Sequence, residues 1–256
     1  MDAVVVTGAG SGIGRNIAVE MGRANLHVLC ISKSERALRT AKEIMEDGGS
    51  ADGLELNLSK YLTVESVIKE WISGKSFQRL GVVLAGGVLG PSGALEQSSL
   101  AEWEESWRVN VLGNLAVLKG LLPTMIQNKF GRIVTFAGGG AAYSYPLFPA
   151  YAASKVAMVR ITENLHEDLK SKGDFACVCL APGANETEML NKVRAAGGEV
   201  RTVVAISEPV NFVNSFLSSR TVSFSGCYVH VRDNWAEYID TKSTLGKDKW
   251  KLRRTE

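Results

Sequence analysis

TGAGSGIG, at positions 7–14, is the stretch of sequence that decides the fold. An apolar run rich in valine, AVVV at 3–6, precedes it, and such runs are typical of buried parallel strands. A helical pattern with apolar residues at Ile17, Ala18 and Met21 follows it. The order of strand, glycine-rich turn and helix predicts an α/β unit whose helix begins directly above the end of a strand.

The glycines of this turn have separate roles. Gly8 permits the tight turn, Gly12 lets the backbone approach a pyrophosphate, and Gly14 lets the helix pack closely on the sheet. The first N–H groups of the helix then point at the phosphates. An ordinary strand-to-helix turn would not need three glycines, so the pattern favours a dinucleotide site. Its predicted contacts are Gly8, Gly10, Ser11, Gly12, Ile13 and Gly14.

The rest of the chain alternates between strand and helix. The sequence predicts strands over 3–6, 26–31, 53–58, 82–85, 132–137, 176–180 and 226–231. Further helices are predicted over 35–47 with Ser34 as its cap, 62–71, 100–127 with a stop at or just after Pro123, 150–172 and 208–218. This alternation predicts a doubly wound parallel α/β sheet in one domain, 1–239. A basic tail, 240–256, follows, and we expect it to be frayed, with packing on a partner subunit as the alternative.

Composition argues against several classes of protein. The chain has 256 residues, 45% of them hydrophobic, and a formal net charge of +2 without a basic stripe for nucleic acid. Its apolar runs are too short for a membrane span, and a strand close to Met1 leaves no room for a signal peptide. Its cysteines lie in strand-like runs without metal-site spacing. We therefore expect a cytoplasmic protein with reduced thiols and no bound metal.

YAASK, at positions 151–155, is the candidate for chemistry. On a helix, Tyr151 and Lys155 share one face. An ammonium close to a phenol favours the phenolate, so Lys155 is predicted to lower the pKa of Tyr151 from its usual value of about 10. A tyrosine tuned in this way exchanges a proton with an alcohol or a carbonyl oxygen near neutral pH. Taken alone, the motif favours an ordinary surface pair on a helix, because pairs at this spacing are common.

The combined motifs resemble the short-chain dehydrogenase/reductase family over nearly the whole chain. They are TGAGSGIG, Asn110 within WRVNV at 107–111, YAASK, and PGANETEM at 182–189. The resemblance implies a Rossmann-type sheet of about seven strands, a nicotinamide cofactor, and hydride transfer between a small carbonyl compound and an alcohol. It also implies a homodimer or homotetramer built on helices 100–127 and 150–172. The apolar positions on these helices are compatible with this and equally with packing on the sheet: they are Val109, Leu112, Leu118, Val156 and Val159.

Family roles transfer to matching positions. The resemblance implies that Tyr151 is the acid/base, that Lys155 holds the nicotinamide ribose and tunes Tyr151, and that Asn110 orders a water beside Lys155. Thr187 matches a threonine that contacts the cofactor. The remaining positions predicted around the cofactor are Asn57, Leu58, Ala85, Gly86, Pro182, Gly183 and Asn185.

The end of the second predicted strand indicates which cofactor is preferred. A carboxylate there would bind the ribose 2′-OH of NAD and repel the 2′-phosphate of NADP. This chain has Ser32 and then Lys33 at that place, with Arg36 a turn further on. The charge favours NADP, with NAD as the alternative. Lys33 could also be an ordinary exposed lysine.

Three departures from the family pattern bear on activity. Gly138 stands where the family has a serine that donates to the substrate oxygen, and such a donor contributes about 2.7–4 kcal/mol. Where the family has Asn-Asn-Ala-Gly after the fourth strand, this chain has Val83-Leu84-Ala85-Gly86. Where the family has an aliphatic residue beside the nicotinamide, this chain has Asn185. Tyr143, Ser144, a backbone N–H group, water or the substrate itself could replace the missing hydroxyl. The alternative is a cofactor-binding regulator or scaffold without catalysis.

Some features resemble a bacterial branch of the family associated with surface carbohydrates or nucleotide sugars. They are the GGG at 138–140, LGP at 89–91 and DNW at 233–235. A sugar-derived polyol would bring its own hydroxyl groups to a site that lacks a serine. Arg194 and Arg201, between 189 and 207, could bind a phosphate or carboxylate on the substrate, although exposed arginines are common.

Overall fold

A computed structural model describes residues 1–200 and 203–254 of the chain. Seven parallel strands form one sheet in the order β3-β2-β1-β4-β5-β6-β7. The strands are β1 (Ala3–Thr7), β2 (His27–Ser32), β3 (Ser50–Glu55), β4 (Leu80–Leu84), β5 (Phe130–Phe136), β6 (Asp174–Ala181) and β7 (Cys227–His230). The order reverses between β1 and β4, as in a doubly wound Rossmann-type sheet, so the predicted fold class is confirmed.

Helices cover both faces of the sheet. They are α1 (Gly12–Arg23), α2 (Arg36–Glu46), α3 (Tyr61–Ile72), α4 (Leu100–Trp107), α5 (Asn114–Gln127), α6 (Pro149–Leu169), α7 (Glu188–Ala195) and α8 (Ser207–Ser218). One apolar layer joins the sheet to α1, α2 and α8, through residues such as Ile17, Ile44 and Phe216. A second joins it to α3 and α5, through Ile68 and Leu121. Burial of both faces explains why the strands are apolar without alternation.

The helix predicted over 100–127 is not uniform. Arg108–Gly113, between α4 and α5, forms a π-helical turn, a feature frequent at functional sites. Pro123 lies inside α5, and the helix ends shortly after it at Gln127, the predicted last residue. The 28-residue helix Leu100–Gln127 is long and apolar enough to span a membrane, but 56% of its most apolar window is buried inside the fold. A core helix meets the same criteria, and α5 packs on α3 and the sheet.

Local capping and strand bounds differ from prediction at several points. Ser32, rather than Ser34, accepts the hydrogen bond from Ala37 N that starts α2, at 3.1 Å. The strand predicted over 53–58 begins three residues earlier, as β3. Helix α7 was not predicted, because its sequence, EMLNKVRA, is short and largely polar and only Leu190 and Val193 are buried.

The sequence leaves open whether the apolar positions of the long helices face a partner or pack on the sheet, and two of them are buried. Leu118 is 1% exposed and Val159 is 4% exposed, so both pack inside the fold. Leu112 and Val156 are each 38% exposed. Only part of the predicted apolar surface therefore faces outward.

The C-terminal segment packs against the body of the protein, so the expected fraying is wrong for residues 240–254. The Trp250 ring meets Phe224 and Tyr238 edge-on, with centroid distances of 5.9 and 5.4 Å. Trp250 O accepts a hydrogen bond from Tyr228 N at 2.7 Å. Since β7 is the last strand of the sheet, this bond covers part of its open edge.

Candidate active site

The carboxyl ends of β1, β4, β5 and β6 meet at one edge of the sheet, where ligands of such sheets bind. A cleft of about 940 Å³ opens there. The predicted site residues that line it are Ile13, Gly138, Tyr151, Pro182, Gly183, Asn185 and Thr187. Arg194 does not line it and pairs with Glu186 at 2.6 Å. Arg201 lies outside the described residues.

The glycine turn has the geometry that its sequence predicts. Gly8 has a φ of +70°, and a Cβ there would lie 3.0 Å from Gly86 Cα. A Cβ at Gly14 would lie 2.5 Å from Gly8 O, which explains why α1 begins so close to the sheet. Ser11 caps α1 without a side-chain hydrogen bond, so the first N–H groups of the helix remain available to an anion.

A second hollow, of about 470 Å³, lies beside this turn. Residues Gly10, Ser11 and Gly12 form one wall of it. Three arginines, Arg15, Arg36 and Arg39, form another wall, next to the N-terminus of α1. Each arginine pairs with a carboxylate, in the pairs Arg15–Glu43, Arg36–Glu188 and Arg39–Glu35. These pairs are largely exposed, so each contributes little to stability, and Glu43 and Glu188 line the same hollow as the arginines.

The residues present fit a phosphorylated dinucleotide. The free helix N-terminus suits a pyrophosphate. Thr187 Cγ2 would lie 3.2 Å from a Cβ at Gly12, so α7 stands directly over the glycine turn. Asn185 Nδ2 donates to Pro182 O at 2.8 Å, whereas its buried Oδ1 has no hydrogen-bond partner. An unpaired acceptor beside the cleft matches the amide donors that a nicotinamide carries.

Three other residues predicted to lie at the cofactor, Ser32, Asn57 and Leu58, contact other parts of the protein. Ser32 Oγ donates to Ser34 O at 2.7 Å in addition to capping α2. Asn57 Oδ1 accepts from Ser59 N at 3.0 Å, and Leu58 packs beneath Gly86. Lys33 is exposed and lines neither hollow. The positive charge beside the glycine turn therefore comes from arginines, of which the sequence analysis considered only Arg36.

Tyr151 and Lys155 lie near the start of α6, but the ammonium does not reach the phenol oxygen. Lys155 Nζ lies 5.5 Å from the centroid of the Tyr151 ring and donates to Phe136 O at 3.1 Å. Burial raises the pKa of Tyr151 above its usual value and lowers the pKa of Lys155 to about 8. The predicted lowering of the Tyr151 pKa is therefore wrong in this structure, because burial disfavours the phenolate and the nearby phenols of Tyr145 and Tyr228 add to this effect.

Asn110 lies in the π-helical turn and is 1% exposed. Its Oδ1 accepts from Val88 N at 2.7 Å, and its Nδ2 donates to Val88 O and to Ser154 Oγ, both at 2.9 Å. Gly87 lies against this group, since a Cβ there would be 3.3 Å from Asn110 Oδ1 and 3.5 Å from Lys155 Nζ. The Asn110 side chain therefore fixes the loop after β4 beside Lys155.

Gly138 lies against the phenol of Tyr151. A Cβ at Gly138 would be 2.8 Å from Tyr151 Oη and 3.1 Å from Cε1. Any larger residue at this position would displace the tyrosine, whereas a Cβ at the neighbouring Gly139 would meet nothing within 4 Å. The Tyr151 side chain therefore fills the space that a side chain at 138 would need.

Asn114 is a structural residue of the site that the sequence analysis missed. Its Oδ1 accepts from Thr7 Oγ1 at 2.7 Å, and its Nδ2 donates to Gly86 O at 2.8 Å. Gly86 N donates to Thr7 Oγ1 at 2.9 Å. This closed network ties β1, the loop after β4 and α5 together, where the family's paired asparagines are absent. The signal in the sequence was that Asn114 lies one helical turn after Asn110, on the same face of the helix.

Known proteins identify the family. The family model described as short chain dehydrogenase matches residues 2–197. The chain belongs to the short-chain dehydrogenase family. Sulfoacetaldehyde reductase 2 of Chromohalobacter salexigens is 30% identical over 201 residues, which are 77% of this chain and 78% of that protein. A short chain dehydrogenase of Pseudocercospora fijiensis is 30% identical over 187 residues, 72% of this chain but only 60% of that relative.

Solved structures show the same short-chain dehydrogenase fold. One, assigned as an NAD(P)-dependent gluconate 5-dehydrogenase from Beutenbergia cavernae with bound NADP, has a TM-score of 0.83 and 28% identity. The match covers 92% of this chain and 96% of that one. A variant of actinorhodin polyketide ketoreductase, with NADPH, has a TM-score of 0.79 at 23% identity, over 93% and 98% of the two chains. At that identity the likeness concerns the fold alone.

Proposed function

We propose that this short-chain dehydrogenase is an NADP-dependent oxidoreductase that reduces a carbonyl compound, with Tyr151 as the proton donor. The observation that carries the proposal is the partly buried phenol of Tyr151, which lines the cleft and whose raised pKa keeps it protonated at neutral pH. A protonated phenol donates to the oxygen of a carbonyl that is being reduced. Reduced nicotinamide, when bound, supplies the hydride.

Lys155 and Asn110 support this step. The Lys155 ammonium stabilises the negative charge that forms on Tyr151 after proton transfer. Asn110 is a positioning residue, because its side chain holds the loop beside Lys155 through Val88. Two observations favour NADP over NAD. Arg15, Arg36 and Arg39 lie beside the glycine turn, where they can bind the 2′-phosphate of NADP. A solved structure that is 28% identical has NADP bound.

Gly138 replaces the serine expected at the substrate oxygen, and it motivates the second candidate function, a cofactor-binding protein without catalysis. Several hydroxyl groups line the same cleft and can serve as donors, from Tyr143, Ser144 and Tyr145. Retention of Tyr151 and Lys155 at matching positions favours the enzyme. The tight contact of Gly138 with Tyr151 also favours a specialised site over loss of a group.

The walls of the cleft offer both apolar surface and hydroxyl groups to a substrate. Leu89, Leu147, Met189 and Val193 line it and belong to one apolar cluster, which packs around the buried Phe148. This apolar wall is buried favourably by an apolar substrate, whereas the hydroxyl groups of Tyr143, Ser144 and Tyr145 in the same cleft offer hydrogen bonds to a sugar-derived compound. Apolar ketones and aldehydes and sugar-derived compounds therefore both belong in the substrate panel.

The test follows the absorbance of reduced nicotinamide with NADPH and NADH separately, across apolar ketones and sugar-derived carbonyl compounds. We expect turnover with NADPH, and Tyr151→Phe abolishes it while cofactor affinity, measured by calorimetry, stays nearly unchanged. Full turnover by Tyr151→Phe would contradict the role of Tyr151. Tight NADPH binding without turnover of any compound would favour the non-catalytic protein.

We also propose an oligomeric state and a cellular location for this protein. The exposed Leu100, Leu112 and Val156 on the α4–α5 and α6 surfaces favour a homodimer or homotetramer through these helices. Light scattering of the purified protein tests this, and a monomer at micromolar concentration would contradict it.

The four buried cysteines are free thiols, which favours a cytoplasmic location that cell fractionation can test.

A further inference from the structure

A second cluster of reactive side chains lies at the opposite edge of the sheet from the cleft. His27 and Ser50 are the first residues of β2 and β3, and they are paired across the two strands. Asp52 lies two residues after Ser50, so its side chain points to the same face of the sheet. Ser50 is exposed to solvent. The amino ends of the strands therefore bring together a serine, a histidine and an aspartate.

The hydrogen bonds of this cluster run from Ser50 to His27 and from His27 to Asp52. Asp52 Oδ2 lies 3.1 Å from His27 Nε2, and Ser50 Oγ lies 2.7 Å from His27 Nδ1. An ionised carboxylate can only accept, so the hydrogen-bond network assigns the imidazole proton to Nε2. The lone pair on Nδ1 is then the acceptor for the Ser50 hydroxyl, and this arrangement makes His27 a base for Ser50.

The aspartate and the ring are both held in place. Asp52 Oδ2 also accepts from Trp71 Nε1 at 2.8 Å and from Lys75 Nζ at 2.9 Å. Partial burial would raise the pKa of Asp52, but the hydrogen bonds from Lys75, Trp71 and His27 outweigh it and lower the pKa to about 2. The His27 ring stacks on Phe77 with a centroid distance of 5.2 Å. The carboxylate is therefore ionised at neutral pH and the imidazole is fixed in orientation.

The edge of the sheet offers a backbone donor next to Ser50. β3 is the first strand in the sheet and pairs only with β2. Leu56 N donates to Ser32 O at 2.7 Å, so the even-numbered residues of β3 direct their N–H groups at β2. The N–H of Ala51 therefore points away from β2, toward the open edge. A donor on the residue after a nucleophile is suited to an oxygen that becomes negative during attack.

From this geometry we propose that Ser50, His27 and Asp52 form a nucleophilic site that takes acyl groups from small activated esters. Ser50 Oγ attacks the acyl carbon, His27 Nδ1 takes the hydroxyl proton and passes it to the departing alcohol, and the acyl group stays on Ser50 as an ester. Water then attacks this ester, releasing a carboxylic acid and restoring the Ser50 hydroxyl. Because Ser50 is exposed and not enclosed, the site suits small acyl groups with little selectivity.

The experiment treats the full-length protein with a fluorescent fluorophosphonate, in which the serine oxygen bonds to phosphorus and fluoride leaves. We expect mass spectrometry to place the label on Ser50, and Ser50→Ala to lose it. Asp52→Asn should slow labelling by about tenfold or more, since it removes the charge that orients the base. Ser66→Ala is the matched control, because Ser66 is an exposed serine that donates to Thr63 O. The rate of p-nitrophenyl acetate hydrolysis should also be lost in Ser50→Ala, lowered in Asp52→Asn and unchanged in Ser66→Ala, which would show that the acyl group turns over.

Two outcomes would overturn the proposal. They are labelling of Ser50 no faster than that of other exposed serines, and labelling that is unchanged in Asp52→Asn. Thermal unfolding of each variant separates a lost reaction from a lost fold. Ser50 and Asp52 line neither hollow at the carboxyl edge, so turnover of NADPH should remain in both variants. The result is thus independent of the proposed reductase activity.

Discussion

The buried ammonium of Lys155 links stability to catalysis at the scale of a single residue. Lys155 is 4% exposed, and burial lowers its pKa from 10.5 to about 8. Folding therefore disfavours the charged form, and this cost is complete below pH 8 and disappears as the pH rises toward 10.5. We expect Lys155→Met to abolish turnover and yet to raise the melting temperature at pH 7 by at least about 2 °C. Calorimetry at pH 7 and pH 10 checks this, and a gain of equal size at both pH values would contradict it.

The same residue sets a pH dependence of the reaction. Above pH 8 the unliganded enzyme loses the Lys155 proton, and with it the charge that stabilises the Tyr151 phenolate after proton transfer. We expect kcat/KM for carbonyl reduction to be constant up to pH 7 and to fall as the pH rises through about 8, because this ratio reports groups of the free enzyme. A profile that rises between pH 7 and pH 9 would assign the step to another group.

Gly138 gives a third prediction at this scale. Since a Cβ there would lie 2.8 Å from Tyr151 Oη, Gly138→Ser forces the phenol to move instead of restoring a useful donor. We expect a fall in kcat/KM and a loss of roughly 1–3 kcal/mol in the free energy of unfolding. Gly139→Ser is the matched control, because a Cβ there meets no atom within 4 Å. A large gain of activity in Gly138→Ser would instead support a degenerate site.

Helices and strands could be predicted where the sequence pattern is strong. They were missed where contacts with distant residues determine the local structure. The apolar runs of β1 and β5 predict strands, and three glycines at 7–14 favour a dinucleotide turn over an ordinary one. Helix α7 carries only two buried apolar residues, too few for a periodic signal. The π-helical turn Arg108–Gly113 is set by the contacts of Asn110 and Asn114 with distant loops, which no local pattern shows.

Asn114 provides the prediction for this element. Asn114→Ala leaves Thr7 Oγ1 without its acceptor and Gly86 O without a donor, both in buried surroundings. Each such group costs about 1–3 kcal/mol, so we expect a loss of roughly 2–4 kcal/mol in the free energy of unfolding, measured in urea. Asn128→Ala, at the end of the same helix, removes a single bond to Phe77 O and should cost less. Equal losses in the two variants would show that the Asn114 network adds nothing.

At the scale of the whole molecule, the C-terminal segment decides how the last strand is closed. Its sequence is polar and basic, so a frayed tail was the reasonable expectation, and Trp250 is its only aromatic residue. Trp250 has a φ of +58°, a strained value for a bulky residue that persists only where surrounding contacts hold it. The rings of Phe224 and Tyr238 and the N–H of Tyr228 supply those contacts. They come from residues 12–26 positions away, so the local sequence carries no sign of them.

Trp250→Ala therefore measures whether the segment belongs to the folded body. Trp250 is only partly buried, so we expect a loss of about 2 kcal/mol in the free energy of unfolding, below that for a core tryptophan. The variant also frees part of the β7 edge, which should increase self-association on heating, measured by light scattering. Lys247→Ala, at an exposed position in the same segment, should change neither quantity. If both variants unfold like the unmodified protein, the tail does not stabilise the fold, and the frayed segment expected from its polar sequence is the better description.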